Sequence, residues 1–208
     1  MQINNIENIL DAGKTVTIIL EGMDGTGKST LALSMFNVLH ALFPYRVLLM
    51  RNPDDLGLYR RIHEGVYTPY EIAMNTLADA LSAKNNTYAP GYIIIQDRSA
   101  AISSQAYNAQ MMQNHEYEIY NAAMKRIAYL LIDEYTCIVL LTNKTKRIES
   151  NEFATSQLAN AAYELMAEDK MDAYNNRINT YNNDTSDPIF AAQEIINLVN
   201  DYFGGGKP

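Results

Sequence analysis

The fold of this chain is decided by one stretch near its start, Glu21-Gly22-Met23-Asp24-Gly25-Thr26-Gly27-Lys28-Ser29-Thr30. It matches the pattern G-x-x-x-x-G-K-[ST], in which backbone N–H groups and a lysine surround phosphate oxygens and a hydroxyl ligates Mg²⁺. The stretch follows an apolar β-branched run, residues 15–20, and precedes an amphipathic helical pattern. That order of strand, glycine loop and helix N-terminus indicates a site for the phosphates of a nucleotide.

The pattern assigns a role to each polar residue of the loop. Lys28 would reach the β- and γ-phosphates of the nucleotide, and the Ser29 hydroxyl would ligate Mg²⁺. The residues expected to bind the nucleotide are Gly22, Gly25, Thr26, Gly27, Lys28, Ser29 and Thr30.

Apolar strand candidates recur along the chain and alternate with long helical patterns. The strand candidates are residues 15–20, 47–50, 92–95 and 136–141, with a weak fifth at 188–190. The helical patterns follow a short N-terminal helix and cover roughly 28–41, 70–84, 99–132 and 153–182, the last with an apolar stripe through Ile178 and Tyr181. Such alternation predicts an α/β fold, a three-layer sandwich with five parallel strands and helices on both faces.

Composition limits the class of protein. A length of 208 residues suits one domain over 1–208, with an N-terminal extension at 1–14 and a glycine-rich tail at 204–208. The net charge of −8 disfavours nucleic acid as a partner, and no apolar run is long enough for a membrane span. The single cysteine, Cys137, excludes a disulfide framework and leads us to expect a cytoplasmic protein.

Charged residues follow the second and third strand candidates, where ligands bind in parallel sheets. Arg51 ends one of these strands, and Asp97-Arg98 ends the other. An acidic residue at the end of a strand beside a phosphate loop is placed to hold Mg²⁺, directly or through water. Arg98 offers a planar fork that suits two phosphate oxygens. A salt bridge between these two neighbours is the structural alternative.

Several motifs together resemble the thymidylate kinase family. Residues 21–30 are similar to its phosphate loop, Arg51-Asn52-Pro53 to its Arg-Glu-Pro element, and Asp97-Arg98 to its Asp-Arg-Tyr/His element. Residues 103–108 are similar to the Ser-x-x-Ala-Tyr-Gln segment that follows, and Arg147 stands where the family's basic lid begins. The resemblance implies a P-loop NTPase fold with a small lid over about residues 143–153.

The resemblance also implies an activity and a set of residues for it. The reaction would be transfer of the ATP γ-phosphoryl group to dTMP, giving dTDP for deoxynucleotide biosynthesis, in a Mg²⁺-dependent homodimer. The implied catalytic residues are Asp24, Lys28, Arg98 and Arg147. The implied substrate-binding residues are Asp24, Arg51, Arg98, Ser104, Tyr107 and Asn108, and the implied Mg²⁺ ligands are Ser29 and Asp97.

One departure from the family pattern leaves the acceptor open. The family has Leu-Phe-x-x-x-Arg in the helix before the third strand, but residues 73–79 contain neither an aromatic side chain nor an arginine. In the family the aromatic side chain stacks on the base and the arginine helps to hold the monophosphate. Arg51, Arg60 and Arg61 are the candidates to replace that arginine here. The acceptor is therefore dTMP, another deoxynucleoside monophosphate, or a deoxynucleoside. The last would fit a deoxynucleoside kinase, whose acidic-Arg-Ser element resembles Asp97-Arg98-Ser99.

Two hypotheses from other classes are weaker. A regulatory GTPase would use residues 54–57, which fit D-x-x-G, and residues 143–146, which begin like N-K-x-D. Guanine recognition needs an acceptor at the last of these positions, and Lys146 cannot accept a hydrogen bond. The intact Lys28, Ser29 and Asp97 argue against a nucleotide-binding module without catalysis.

Overall fold

The computed structural model describes residues 3–23, 25–51, 90–99, 102–103, 106, 122–123, 126–128, 132–143, 161–164, 166–168 and 177–205. Five of the expected site residues lie outside these ranges, namely Asp24, Ser104, Tyr107, Asn108 and Arg147. The expected lid also lies outside them, apart from its first residue, Asn143.

The described residues contain one parallel sheet. Its strands are β1 (Val16–Glu21), β2 (Val47–Arg51), β3 (Ile93–Asp97), β4 (Thr136–Thr142) and β5 (Ile178–Asn182). They lie side by side in the order β2-β3-β1-β4-β5. β1 therefore pairs with β3 on one edge and with β4 on the other, and all four strand pairs are parallel. The predicted five-stranded parallel sheet is confirmed.

Helices cover both faces of the sheet. On one face lie α1 (Asn4–Asp11), α2 (Lys28–Leu42) and α3 (Pro188–Phe203), which share a hydrophobic core with the sheet. The other face packs against the helical residues Ile102, Ala106, Ile127, Ala128, Tyr163 and Met166. The described segments include no helix with both the length and the apolar character needed to cross a bilayer.

Alternation along the strands distributes side chains between the two cores. In β1, Val16, Ile18 and Leu20 pack on the side of α2, whereas Ile19 packs on the opposite side. β4 behaves in the same way, with Val139 and Ile138 in different cores. A strand that is buried on both faces reads as a continuous apolar run, which is why these segments were recognisable.

The fifth strand differs from the prediction. The pattern favoured residues 188–190 as a weak strand and extended a helix to residue 182, and both assignments are wrong. Ile178–Asn182 is β5, because its β-branched and aromatic side chains suit a strand and β4 offers a free edge. Residues 188–190 instead begin α3. Asp187 caps that helix by accepting hydrogen bonds from the N–H groups of Ile189 and Phe190, and Pro188 occupies its first turn.

The short helix α1 is held by a side chain from the far end of the chain. The Oδ1 atom of Asn200, a buried residue of α3, accepts hydrogen bonds from the N–H groups of Asn5 at 3.0 Å and Ile6 at 3.3 Å. The Asn5 side chain donates in return to the Asn200 carbonyl oxygen at 2.9 Å. No side chain of α1's own sequence caps its first turn, so Asn200 supplies the missing acceptor.

We expect Asn200→Ala to lower the free energy of unfolding by about 1–2 kcal/mol, the cost of losing a helix cap. Urea unfolding measures this value. The matched control is Asn197→Ala, an exposed position in the same helix, where alanine should be neutral or slightly stabilising. Equal losses in the two variants would show that Asn200 does not act as the cap.

Candidate active site

The strand register brings three expected features to one edge of the sheet. Leu20, the last residue but one of β1, is paired with Asp97 at the end of β3, and Asp97 is paired with Arg51 at the end of β2. The phosphate loop leaves β1 directly after Glu21. The predicted convergence of these elements is therefore confirmed for the loop, Arg51 and Asp97. Asn52 and Pro53, which follow Arg51 in the element that resembles Arg-Glu-Pro, lie outside the described ranges.

The phosphate loop needs glycine where its backbone approaches other elements. Gly22 has a φ of +133°, and a Cβ atom there would overlap the carbonyl oxygen of Leu141 in β4. Gly27 has a φ of +87° and immediately precedes α2, and a Cβ atom there would lie 2.7 Å from the side-chain nitrogen of Asn183. Both positions require a left-handed backbone as well as space, so only glycine fits them without strain.

Lys28 lies inside the loop. Its side chain is 5% exposed, and its Nζ donates to the carbonyl oxygens of Gly22 at 2.8 Å and Met23 at 2.6 Å. Thr26 also contributes a hydroxyl at 3.5 Å from the same nitrogen. A buried ammonium group is stable only with such partners, and these bonds hold the charge at the first residue of α2.

A short hydrogen bond joins α2 to β3. The Ser29 hydroxyl donates to Oδ2 of Asp97 at 2.6 Å. The other oxygen of this carboxylate, Oδ1, is buried and has no hydrogen-bond partner in the described part of the chain. Asp97 faces α2 because it continues the alternation of Ile93 and Ile95, which pack in the core on that side. The expected Mg²⁺ ligands are therefore neighbours, and one of them has an acceptor to spare.

The backbone of Arg98 has an unusual conformation. Its φ is +75°, in the left-handed region that residues other than glycine seldom adopt. Its N–H donates to the carbonyl oxygen of Leu20 at 3.0 Å, so the end of β1 holds the turn. Strained residues that the surroundings hold in place are frequent at functional sites. Arg98 thus lies at the predicted edge, directly after Asp97 in the chain.

A buried glutamate is part of the site and was missed as a functional residue. The sequence pattern included Glu21 only as the residue before the loop glycine, although it is fully buried. Its carboxylate accepts hydrogen bonds from the Ser99 N–H at 2.5 Å and from the Ser103 and Tyr163 hydroxyls at 2.9 Å each. The signal that could have identified it is a charge placed at the end of a continuous apolar strand.

The turn after β5 also contacts the phosphate loop, which the misassigned helix concealed. The side-chain nitrogen of Asn183 donates to the Thr26 carbonyl oxygen at 2.7 Å. The Asn183 N–H donates to the Thr142 carbonyl oxygen at 2.7 Å, and the Asn143 side chain donates to the Asn183 carbonyl oxygen at 3.1 Å. The ends of β4 and β5 therefore support the loop from the side opposite to β3.

Comparison with known proteins gives a structural likeness only. No protein-family model matches the chain, and no curated protein matches it. The solved thymidylate kinase from Ehrlichia chaffeensis superposes with a TM-score of 0.64 at 17% identity, over 89% of this chain and 99% of that one. The thymidylate kinase from Candida albicans, whose structure is reported to reveal the origin of broad substrate specificity, gives 0.60 at 18% identity, over 91% and 92%. This likeness confirms the P-loop NTPase fold that the resemblance implied.

The titration of Glu21 should make the free energy of unfolding depend on pH. Burial raises the pKa of its carboxyl group above the ordinary 4.5, while the hydrogen bonds from Ser99, Ser103 and Tyr163 and the charge of Arg98 oppose the rise. A carboxyl group with a raised pKa stabilises the fold below its unfolded pKa, and this contribution is lost as the pH rises through the folded pKa.

Glu21→Gln removes this titration while keeping the shape of the side chain. We expect the unfolding free energy of the variant minus that of the wild type to increase as the pH rises from about 4 to about 7. Urea unfolding at a series of pH values measures the difference, in which the titrations of all other groups cancel. A difference that stays constant, or that falls with pH, would contradict the raised pKa.

Proposed function

We propose that the chain is a nucleoside monophosphate kinase of the thymidylate kinase type, which transfers the γ-phosphoryl group of ATP to dTMP. The single observation that carries this proposal is the 2.6 Å hydrogen bond between Ser29 and Asp97. It joins the hydroxyl of a phosphate loop to an acidic residue at the end of the neighbouring strand, with Arg98 directly following. The fold shared with two thymidylate kinases supports the same family.

The donor side of the reaction belongs to the phosphate loop. ATP phosphates would accept hydrogen bonds from the loop N–H groups and from the N-terminus of α2, where the helix dipole favours negative charge. Lys28 at present donates to the carbonyl oxygens of Gly22 and Met23. In the complex its ammonium group would also contact the β- and γ-phosphates and stabilise the charge that develops between them.

The residues present fit a magnesium ion. Mg²⁺ prefers hard oxygen ligands and commonly takes only one or two from the protein, with water and substrate phosphates completing the set. Ser29 and Asp97 offer a hydroxyl and a carboxylate within hydrogen-bonding distance, and the buried Oδ1 of Asp97 is an orphaned acceptor. A bound Mg²⁺ would neutralise phosphate charge during the transfer. The described residues contain no cluster of three or more acidic, histidine or cysteine ligands, which such a site does not need.

The acceptor side would be served by arginines at the same edge. A phosphate oxygen of the monophosphate attacks the γ-phosphorus of ATP, and ADP leaves with the electron pair of the broken bond. Arg98 would hold the acceptor phosphate in line and reduce its repulsion from the donor. Arg51 is exposed and in register with Asp97, so we propose it as a substitute for the family arginine that residues 73–79 lack.

The remaining roles carry over as proposals from the sequence resemblance. Asp24 would lie near the acceptor sugar, and Ser104, Tyr107 and Asn108 would face the deoxyribose and the base. Arg147 would close over the phosphates from the lid and help to exclude water. A homodimer, and a place in the cytoplasm, remain predictions of the same kind.

ADP release from Mg-ATP tests the function directly. The acceptors dTMP, dUMP, the other deoxynucleoside monophosphates and thymidine are supplied separately. We expect dTMP to give the largest kcat/KM. A broad response would keep the kinase and change its specificity, turnover with thymidine alone would identify a deoxynucleoside kinase, and no response to any acceptor would overturn the proposal.

Lys28→Ala should fold but lose turnover by about 100-fold or more, the effect of removing one preorganised group that stabilises developing charge. The measurement is kcat with Mg-ATP and the best acceptor, together with urea unfolding to verify the fold. Lys14→Ala is the control. Lys14 is exposed and precedes β1, so it lies at the amino ends of the strands, whereas the phosphate loop lies at their carboxyl ends. Full activity of Lys28→Ala would contradict the role of the phosphate loop.

A further inference from the structure

We propose that Glu21 is a positioning residue that sets the backbone of Arg98 and so directs its guanidinium group at the acceptor phosphate. This inference rests on the proposed function for its kinetic consequences, but its structural basis is independent of the reaction. Two consecutive N–H groups of the Arg98 turn donate to two consecutive residues of β1. Arg98 donates to the Leu20 carbonyl oxygen at 3.0 Å, and Ser99 donates to the Glu21 carboxylate at 2.5 Å.

The need for such a device follows from the conformation of Arg98. A φ of +75° is unfavourable for an arginine, and the turn persists only if its surroundings determine it. The hydrogen bond to Leu20 fixes the N–H group of Arg98 itself. The hydrogen bond to Glu21 fixes the N–H group of the next residue, Ser99. Without the second bond, the turn could relax to a negative φ, and the Arg98 side chain would point in a different direction.

The position of Glu21 also explains how its carboxylate is held. Glu21 continues the alternation of Ile19, so it enters the core on the side opposite to α2. There, Oε2 accepts from Ser103 in the helical residues after β3 and from Tyr163 in a separate helical segment. The Ser103 N–H donates in turn to the Ser99 carbonyl oxygen, so the carboxylate contacts both of the residues that this bond joins.

The two oxygens of the carboxylate therefore accept hydrogen bonds with different effects. Oε1 holds the Ser99 N–H and with it the Arg98 turn, whereas Oε2 receives two hydroxyls that fix the side chain itself. A glutamine can keep the first effect, because its carbonyl oxygen still accepts from Ser99 while its amide faces two hydroxyls that can also accept. An alanine keeps neither effect. Tyr163→Phe removes one donor to Oε2 and leaves the bond to Ser99 in place.

Steady-state kinetics of Glu21→Ala, Glu21→Gln and Tyr163→Phe test these two effects. We expect Glu21→Ala to lower kcat/KM for the acceptor about tenfold or more, while the Kd of Mg-ATP changes less than about twofold. Glu21→Gln should retain most of the activity, and Tyr163→Phe should lose stability but keep acceptor kinetics within about twofold. Equal weakening of Mg-ATP binding in Glu21→Ala would overturn the proposal, because Glu21 would then support the phosphate loop rather than Arg98.

A double-mutant cycle with Arg98→Ala separates positioning from general support of the fold. If Glu21 acts through Arg98, Glu21→Ala should have less than about a twofold effect when Arg98 is already absent. The same tenfold loss in both backgrounds would contradict the proposal.

A measurement that needs no turnover separates this inference from the proposed function. In ¹⁵N NMR spectra, the wild-type Ser99 amide proton should lie at low field, as expected for a short bond to a buried carboxylate. Glu21→Ala should shift this signal upfield and change the Arg98 side-chain N–H signal, and Glu21→Gln should preserve most of both. An Arg98 signal unchanged in Glu21→Ala would overturn the positioning role. Loss of the proposed function would appear instead as a wild type that shows these signals but no acceptor-dependent release of ADP.

Discussion

The pairing of β1 on both of its edges is the constraint on which the rest of the site depends. β1 is hydrogen-bonded to β3 and to β4 and is buried along almost its whole length. A slip of one residue would exchange its side chains between the two cores and leave backbone groups unpaired, so its register is strongly determined. That register places Asp97 and Arg51 beside the end of β1, where the phosphate loop begins.

Side chains along β1 and β3 point alternately to the two faces of the sheet, and the last residue of each strand, a carboxylate, continues that alternation. In β3 the alternation directs Asp97 toward α2 and its Ser29, and in β1 it directs Glu21 into the opposite layer. Carboxylates in these places would be destabilising without donors, and the structure supplies donors to both. The same hydrogen bonds that make burial tolerable also orient the groups. In this protein the requirements of stability and of a preorganised site are met by the same contacts.

Much of the fold was predictable because its strands are buried on both faces and its loop motif has a fixed context. Four strands, the phosphate loop, α2 and the sheet edge where Arg51 and Asp97 meet could all be found in this way. β5 could not, since Ile178 and Tyr181 suit a helical stripe as well as a strand, and the free edge of β4 decides between them. The cap of α1 could not be predicted either, because Asn200 is distant in the chain and its role exists only when α3 packs against α1.

For the site, the amino-acid sequence by itself determined which chemistry is available. The order of glycines, Lys28 and Ser29 after a strand predicts a phosphate site, because that spacing is needed for backbone N–H groups to surround an anion. Tertiary structure alone decided how these groups are held. Glu21 became the partner of Ser99, Ser103 and Tyr163, and Asn183 became a support of the loop, through contacts between residues far apart in the chain. Local sequence patterns do not predict such contacts, because the contacts form only when separate elements pack against the same sheet.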